Sequence, residues 1–150
     1  MNTLSKIADL VAFARADRTN TYQEINFGVF PNFQAQEINA KTGIKVNGAS
    51  KILTSSGIIH AIKGHGDDKE ESKRGQKGII DSDFQLIPSI LSDPDQVNKG
   101  IITARGDPSI VFVKKIKFIE YYVAMAIKKN KSGVNIYFTT MYAKKTKKPM

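Results

Sequence analysis

The chain has 150 residues, long enough for one domain with a hydrophobic core, and its 41% hydrophobic and 25% charged residues are typical of a globular protein. It contains no cysteine, which excludes thiolate catalysis, disulfide bonds and cysteine-type zinc sites. Its formal net charge of +9 favours a polyanionic partner, nucleic acid first, although a basic surface that serves only solubility would give the same charge.

The N-terminal part of the chain alternates between helical and extended hydrophobic patterns. Residues 1–15 lack the basic start and long apolar run of a signal peptide, and no stretch reaches about 18 apolar residues, so we expect no membrane association. The predicted elements are a helix over 4–15, a strand over 25–29, a helix over 33–42 begun by Asn32 and ended by Gly43, and a strand over 44–46.

A short helix predicted over 55–66 carries both histidines of the chain. Its apolar stripe begins at Ile58, keeps the helical i, i+3, i+4, i+7 spacing and ends at His65, with Gly66 expected to terminate the helix. His60 lies five positions before His65, which places the two side chains about 140° apart around the helix. Any imidazole chemistry near neutral pH must come from this helix.

The C-terminal half is dominated by extended patterns. It follows a charged, glycine-containing stretch over 67–78, expected to be a solvated loop, and one or two helical turns over 84–91 interrupted at Pro88. The predicted strands are 101–105, 109–118, 121–128 and 134–142, with a hairpin turn at 130–133.

Short connections between these strands favour an antiparallel sheet. We therefore predict an α+β fold in which N-terminal helices pack on a four-stranded antiparallel sheet. The whole chain is expected to form a single domain, with a helical lead-in over 1–21, a core over 22–143 and a basic tail over 144–150.

Polar residues interrupt or end several apolar rows of the predicted strands. Lys114 stands between Phe112 and Ile116 on one row, while Thr140 and Tyr142 continue the row that starts at Val134. An inward lysine is costly unless it meets an anion or a cleft. Each residue also has a simpler explanation: a lysine that snorkels at a sheet edge, a threonine that favours strands, and a core tyrosine with a wet hydroxyl.

Together with His65, such residues match the needs of metal-independent RNA cleavage. In that reaction the ribose 2′-hydroxyl attacks the adjacent phosphate, so a base, an acid and a cation are required. Histidine suits the proton transfers, Lys114 or Arg105 would supply the cation, and Thr140 would donate to a phosphate oxygen. The acidic residues show no clustered spacing of the kind that a metal-dependent nuclease would use.

The order of short motifs along residues 22–143 resembles the barnase–EndoU–colicin–RelE-like (BECR) nucleases, closest to the branch found in phage polyproteins and bacterial polymorphic toxins. The resemblance implies helices on a four-stranded antiparallel sheet and ribonuclease activity without a metal or cofactor. It implies His65, Lys114 and Thr140 as the catalytic set, with Tyr142 beside them and His60 as the first histidine of the motif. The matching motifs are HAIKGHG at 60–66, RGQ at 74–76, Asp83, Pro88 with Ile90, DPD at 93–95, VFVK at 111–114 and TMY at 140–142.

The sequence thus predicts a small basic ribonuclease, a toxin effector or phage-associated nuclease acting in the cytoplasm of the producing or target bacterium. Its expected partners are RNA and an acidic cognate immunity protein. Two alternatives remain open: a non-catalytic nucleic-acid-binding module and a structural phage component with a decayed nuclease fold. We expect the side chains of His65, Lys114 and Thr140 to converge on one phosphate. The predicted nucleic-acid-binding residues are Arg105, Arg74, Lys144, Lys145, Lys147 and Lys148.

Overall fold

The computed structural model describes residues 3–16, 22–73, 75–130 and 133–146. Its elements are five α-helices, one 3₁₀ helix and six strands in these residues, which confirms the α+β class. The helices are α1 Thr3–Arg15, α2 Asn32–Thr42, α3 Ser55–His65, α4 Asp68–Lys73 and α5 Ile87–Ser92, with the 3₁₀ helix over Asp81–Leu86. The strands are β1 Glu24–Val29, β2 Ser50–Thr54, β3 Gln96–Lys99, β4 Ser109–Ile116, β5 Ile119–Asn130 and β6 Gly133–Lys145.

The strands form one six-stranded sheet in the order β1-β2-β6-β5-β4-β3. All neighbours are antiparallel except β2 and β6, which are parallel. The predicted antiparallel pairing among the last three strands is therefore confirmed, but the sheet has six strands and not the predicted four. The antiparallel pair β1–β2, whose strands are connected through α2, joins β6 by this parallel contact and extends the sheet at one edge.

Two predicted strands, 101–105 and 44–46, are wrong. In each case a neighbouring segment forms the strand instead. Residues 101–105 form a turn, because the amide of Gly106 donates to the carbonyl of Thr103 at 2.8 Å and that of Asp107 to the Thr103 hydroxyl at 3.0 Å. The edge strand β3 precedes this turn instead. Likewise residues 44–46 are not a strand, and β2 begins only after the turn at Gly48, whose φ is 72°.

Most of the hydrophobic core lies between one face of the sheet and the helices. Helix α1 belongs to this core, because Ile7, Leu10, Val11 and Ala14 are all at most 5% exposed. The segment predicted as a lead-in thus packs on α3 and the 3₁₀ helix. Helix α2 ends at Gly43 as predicted, with φ of 74°, but its N-cap is Pro31 and not Asn32. No helix among the described residues is long and apolar enough to cross a membrane.

Helix α3 lies beside β6 at the point where the pairing of β2 with β6 ends. Strand β2 pairs with residues 135–137 of β6 and then turns directly into α3. The Thr54 hydroxyl makes this junction: it accepts a hydrogen bond from the Gly57 amide at 2.9 Å and donates to the Phe138 carbonyl at 3.0 Å. Further along, the Lys77 amide donates to the Ala143 carbonyl at 2.8 Å. The Thr54 contacts hold the start of the histidine helix against β6, and the Lys77 contact attaches the segment after α4 to the same strand.

The stretch 67–78, predicted as a loop, contains helix α4. The Asp67 carboxylate accepts hydrogen bonds from the amides of Lys69 and Glu70, as an N-cap does. The Glu71 side chain of this helix is almost completely buried, and its carboxylate lies 3.2 Å from the imidazole of His65 on α3. Gly66, between the two helices, has right-handed dihedral angles rather than the left-handed ones expected of a terminating glycine.

Candidate active site

A β-bulge in β6 decides which side chains reach the open face of the sheet, the face that α1, α2 and α5 leave uncovered. Ala124 of β5 pairs with Thr140, but the next residue, Met125, pairs with Phe138, so Thr139 is the extra residue. After the bulge the side chains of β6 change faces. Thr140 and Tyr142 therefore leave the core row, and the prediction that they continue it is wrong.

Lys114 lies on the opposite, helix-covered face. It is the partner of the buried Tyr121 in the β4–β5 register. Its ammonium is 3.2 Å from a carboxylate oxygen of Asp93 and 3.5 Å from one of Asp95. The hydrogen bond that it donates to Asp93 is the main cause that raises the pKa of Lys114. The expected convergence of His65, Lys114 and Thr140 does not occur, because the sheet separates Lys114 from Thr140.

The open face carries a cleft of about 900 Å³. Residues from seven parts of the chain line it: β1 with Tyr22 just before it, the end of β2, α3, the β3–β4 turn, the start of β4, β5 and β6. Three of its residues, His60, Arg105 and Thr140, are site candidates from the sequence, and the structure brings these three together. The polar side chains that line the cleft include His60, Arg105, Lys128, Thr140, Tyr137 and Glu24.

The electrostatics of the cleft suit an anion. Arg105 is exposed, and the ammonium of Lys128 lies 5.4 Å from the centre of the Tyr137 ring. The hydroxyl oxygen of Thr140 is buried and has no hydrogen-bond partner among the described residues. Buried hydroxyl groups are normally paired, so a ligand oxygen in the cleft would complete its hydrogen bonding. An imidazole, two cations and a hydroxyl donor are the groups that stabilise a reacting phosphate.

Comparison with protein families agrees with this chemistry. A family model described as phage-Barnase-EndoU-ColicinE5/D-RelE like nuclease3 (PBECR3) matches residues 29–149. The chain belongs to the PBECR3 nuclease family. The predicted relationship to BECR-like nucleases is thereby confirmed. Searches of curated proteins and of solved structures find no significant match.

In this PBECR3 nuclease the second histidine lies outside the cleft lining. His65 Nδ1 is 3.2 Å from Glu71 Oε2, with 18% of the imidazole side chain and 1% of the Glu71 side chain exposed. Its ring centre is 5.5 Å from that of Tyr142, which stacks on Tyr122 at 4.7 Å. Burial raises the pKa of Tyr142, and burial with a hydrogen bond to Glu120 raises that of Tyr122 to about 12. These groups form a wall beside the cleft, two residues along β6 from Thr140.

The predicted nucleic-acid-binding residues are spread over the structure. Arg105 lines the cleft, whereas Lys144 and Lys145 belong to β6 and not to a separate tail. The ammonium of Lys144 lies 5.1 Å from the centre of the Tyr122 ring. Arg74, Lys147 and Lys148 lie outside the described residues. Among the described residues, no group of three or more His, Asp or Glu side chains is placed to hold a metal ion.

Several polar residues of the PBECR3 cleft were not candidates from the sequence, among them Lys128, Tyr137 and Glu24. Lys128 and Tyr137 lie on neighbouring strands, and their alternation with apolar residues was visible, but nothing in it showed which face was open. Glu24 comes from β1, in the strand pair β1–β2 that extends the sheet. No local pattern around Glu24 indicates the pairing of β2 with β6, which brings β1 to this face.

Proposed function

We propose that this PBECR3 nuclease is a ribonuclease that cleaves RNA by attack of a ribose 2′-hydroxyl on the neighbouring phosphate, without a metal ion. The observation that carries the proposal is the meeting of His60, Arg105 and Thr140 in one cleft. Together they offer a proton carrier, a permanent cation and a neutral hydrogen-bond donor, which are the groups that this reaction needs.

In the proposed reaction His60 accepts the proton of the 2′-hydroxyl as the bond from that oxygen to phosphorus forms. Arg105 and Lys128 offset the negative charge that builds on the phosphate oxygens, and the Thr140 hydroxyl donates to one of them. The bond from phosphorus to the 5′-oxygen then breaks, and the leaving oxygen takes a proton from the imidazolium or through water. The products are a 2′,3′-cyclic phosphate and a free 5′-hydroxyl.

This proposal exchanges the roles that the sequence assigned to the two histidines. His60 replaces His65 as the principal proton carrier, because it lines the cleft with Thr140. His65 and Tyr142 remain part of the site as its supporting wall. Lys114 is left without a catalytic role, because its two aspartates neutralise it on the other face of the sheet.

A chimaeric substrate tests the proposed reaction. We expect the purified protein, in the presence of EDTA, to cut a DNA oligonucleotide that contains one ribonucleotide only on the 3′ side of that ribose. The all-DNA oligonucleotide, which lacks the attacking hydroxyl, serves as the control and should stay intact. Mass spectrometry of the fragments should show the cyclic phosphate. Cleavage of the all-DNA strand, or a strict requirement for added metal, would exclude this mechanism.

The charge of the chain supports a proposal about its biological role. A net charge of +9 and an open cationic cleft suit a nuclease that acts on cytoplasmic RNA, as a toxin effector or a phage-associated enzyme. An acidic immunity protein that covers the cleft would neutralise both features. Toxicity on expression in bacteria, relieved by such a partner, is the corresponding test.

The lysines at the end of β6 are expected to contribute affinity rather than chemistry. Replacing Lys144 and Lys145 with alanine should weaken RNA binding and lower the slope of log affinity against log salt by about one for each phosphate that a lysine no longer neutralises. Fluorescence anisotropy with labelled RNA at several salt concentrations measures this. Lys41→Ala, which removes a charge already paired with Glu37 on α2, is the matched control. Loss of cleavage at saturating RNA would show that the β6 lysines act in catalysis.

A further inference from the structure

Glu24 is the only acidic residue among the described residues that line the cleft. It lies on β1, at the side away from the β3–β4 turn that supplies Arg105. A carboxylate repels phosphate, so its presence in a cleft built for a polyanion weakens binding of the backbone at that end. The Glu24 end of the cleft therefore suits a part of the substrate that carries hydrogen-bond donors and no charge.

The immediate surroundings of Glu24 fit a nucleobase. The Tyr22 hydroxyl donates to Glu24 Oε2 at 3.3 Å, and burial followed by the nearby Glu24 raises the pKa of this tyrosine to about 12. Tyr22 therefore stays a donor at neutral pH and orients the carboxylate. The rings of Tyr22 and Tyr137 both line this end of the cleft, and aromatic side chains are the usual stacking surfaces for unpaired bases.

The distance from Glu24 to the proposed phosphate position also fits. Glu24 pairs with Thr54 of β2, and β2 pairs with β6, the strand of Thr140. Two strand spacings separate β1 from β6, about 10 Å by ordinary sheet geometry. That span is comparable to the length of one nucleoside, so a phosphate at Thr140 and a base at Glu24 can belong to the same nucleotide.

The hydrogen-bond donors of the four RNA bases decide which base the Glu24 carboxylate binds best. A carboxylate has two acceptor oxygens and no donor. Guanine alone offers two parallel N–H donors on its Watson–Crick edge, whereas adenine and cytosine each pair their amino group with an acceptor, and uracil has one N–H between two carbonyl groups. We propose that Glu24 is a base-recognition residue that makes the cleft prefer guanine, an inference that rests on the proposed ribonuclease function.

This subsite lies outside the part of the chain that matches the family model, because Tyr22 and Glu24 precede residue 29. The β1 contribution to the cleft is thus a feature of this chain that the match does not cover. The position of β1 at the sheet edge, beside the proposed catalytic groups, suits an element that sets base specificity.

Equilibrium binding of 3′-nucleotides tests the inference without any cleavage. We expect isothermal titration calorimetry to show that guanosine 3′-phosphate binds about 10- to 100-fold tighter than the other three 3′-nucleotides, the usual scale for one bidentate base contact. In Glu24→Gln this preference should be lost, while binding of inorganic phosphate should stay equal or become tighter. Glu37→Gln, which removes the same charge from an exposed position on α2, should keep the preference.

Equal affinity for the four nucleotides, or a guanine preference that survives Glu24→Gln, would overturn the inference. The ribonuclease proposal fails separately. If the protein does not cut RNA but still prefers guanosine 3′-phosphate, only the proposed reaction is wrong. If it cuts RNA after all four bases at similar rates, only the Glu24 subsite is wrong.

Discussion

Replacing His60 with alanine should lower the rate of RNA cleavage by about 10²- to 10⁴-fold, the usual contribution of one general acid or base. His60 is exposed on α3 and lines the cleft that also holds Arg105 and Thr140. Because its side chain points away from the core, removing it should leave the melting temperature nearly unchanged. Single-turnover cleavage of a fluorescent RNA measures the chemical step.

Two further variants make the result specific. His65→Ala should cost less than His60→Ala, because His65 contacts Glu71 and Tyr142 and lies outside the cleft lining. Lys114→Ala should leave the rate within about two-fold, since this lysine binds Asp93 and Asp95 on the other face. A larger loss in His65→Ala than in His60→Ala would restore the roles that the sequence assigned to the two histidines.

Much of the fold followed from hydrophobic periodicity. The helices at residues 3–15, 32–42 and 55–65 and the strands at 24–29, 109–116, 119–130 and 133–145 all lie where the patterns placed them, to within a few residues. These segments are long, or end at a glycine or turn with a physical reason to end there. Short segments were harder, because four or five residues contain too little periodicity to separate a strand from a turn.

The assembly of the site could not be predicted because one extra residue changes a face. The alternation of 134–142 gives Thr140 and Tyr142 a place on the core row only if the strand is regular. The bulge at Thr139, where the register of β6 shifts relative to Ala124 and Met125 of β5, reverses that assignment. Nothing within β6 itself signals such a shift, since a bulge is a property of the pair of strands.

The chemical type of a side chain predicted the site residues better than their assigned position on a face of a strand. His60, Arg105 and Thr140 were all selected from the sequence, and they do line one cleft. Lys114 was selected because a charge interrupts an apolar row, and the structure explains that interruption by two aspartates from the DPD turn. An inward lysine therefore marked a structural ion pair as readily as it would mark a substrate site, and only the tertiary structure separates the two.

Replacing Gly57 should have the second large effect, on stability and on cleavage. This glycine lets the histidine helix α3 contact strand β6 closely. A Cβ at Gly57 would lie 2.5 Å from the carbonyl oxygen of Phe138 and 2.6 Å from its ring. The carbonyl oxygen cannot move without breaking its hydrogen bond from Thr54. Gly57→Ala should therefore push the start of α3 outward and destabilise the protein by about 1–3 kcal/mol, the usual cost of overpacking.

The same substitution should also lower RNA cleavage, because His60 follows Gly57 by one helical turn and would move with it. Gly64→Ala in the same helix is the matched control, since a Cβ there meets no atom within 4 Å. It should leave cleavage unchanged and should be neutral or stabilising by up to about 1 kcal/mol, from the higher helix propensity of alanine. Thermal melts and cleavage rates of both variants check this. If Gly57→Ala is as stable and active as Gly64→Ala, close contact between α3 and β6 is not what positions His60.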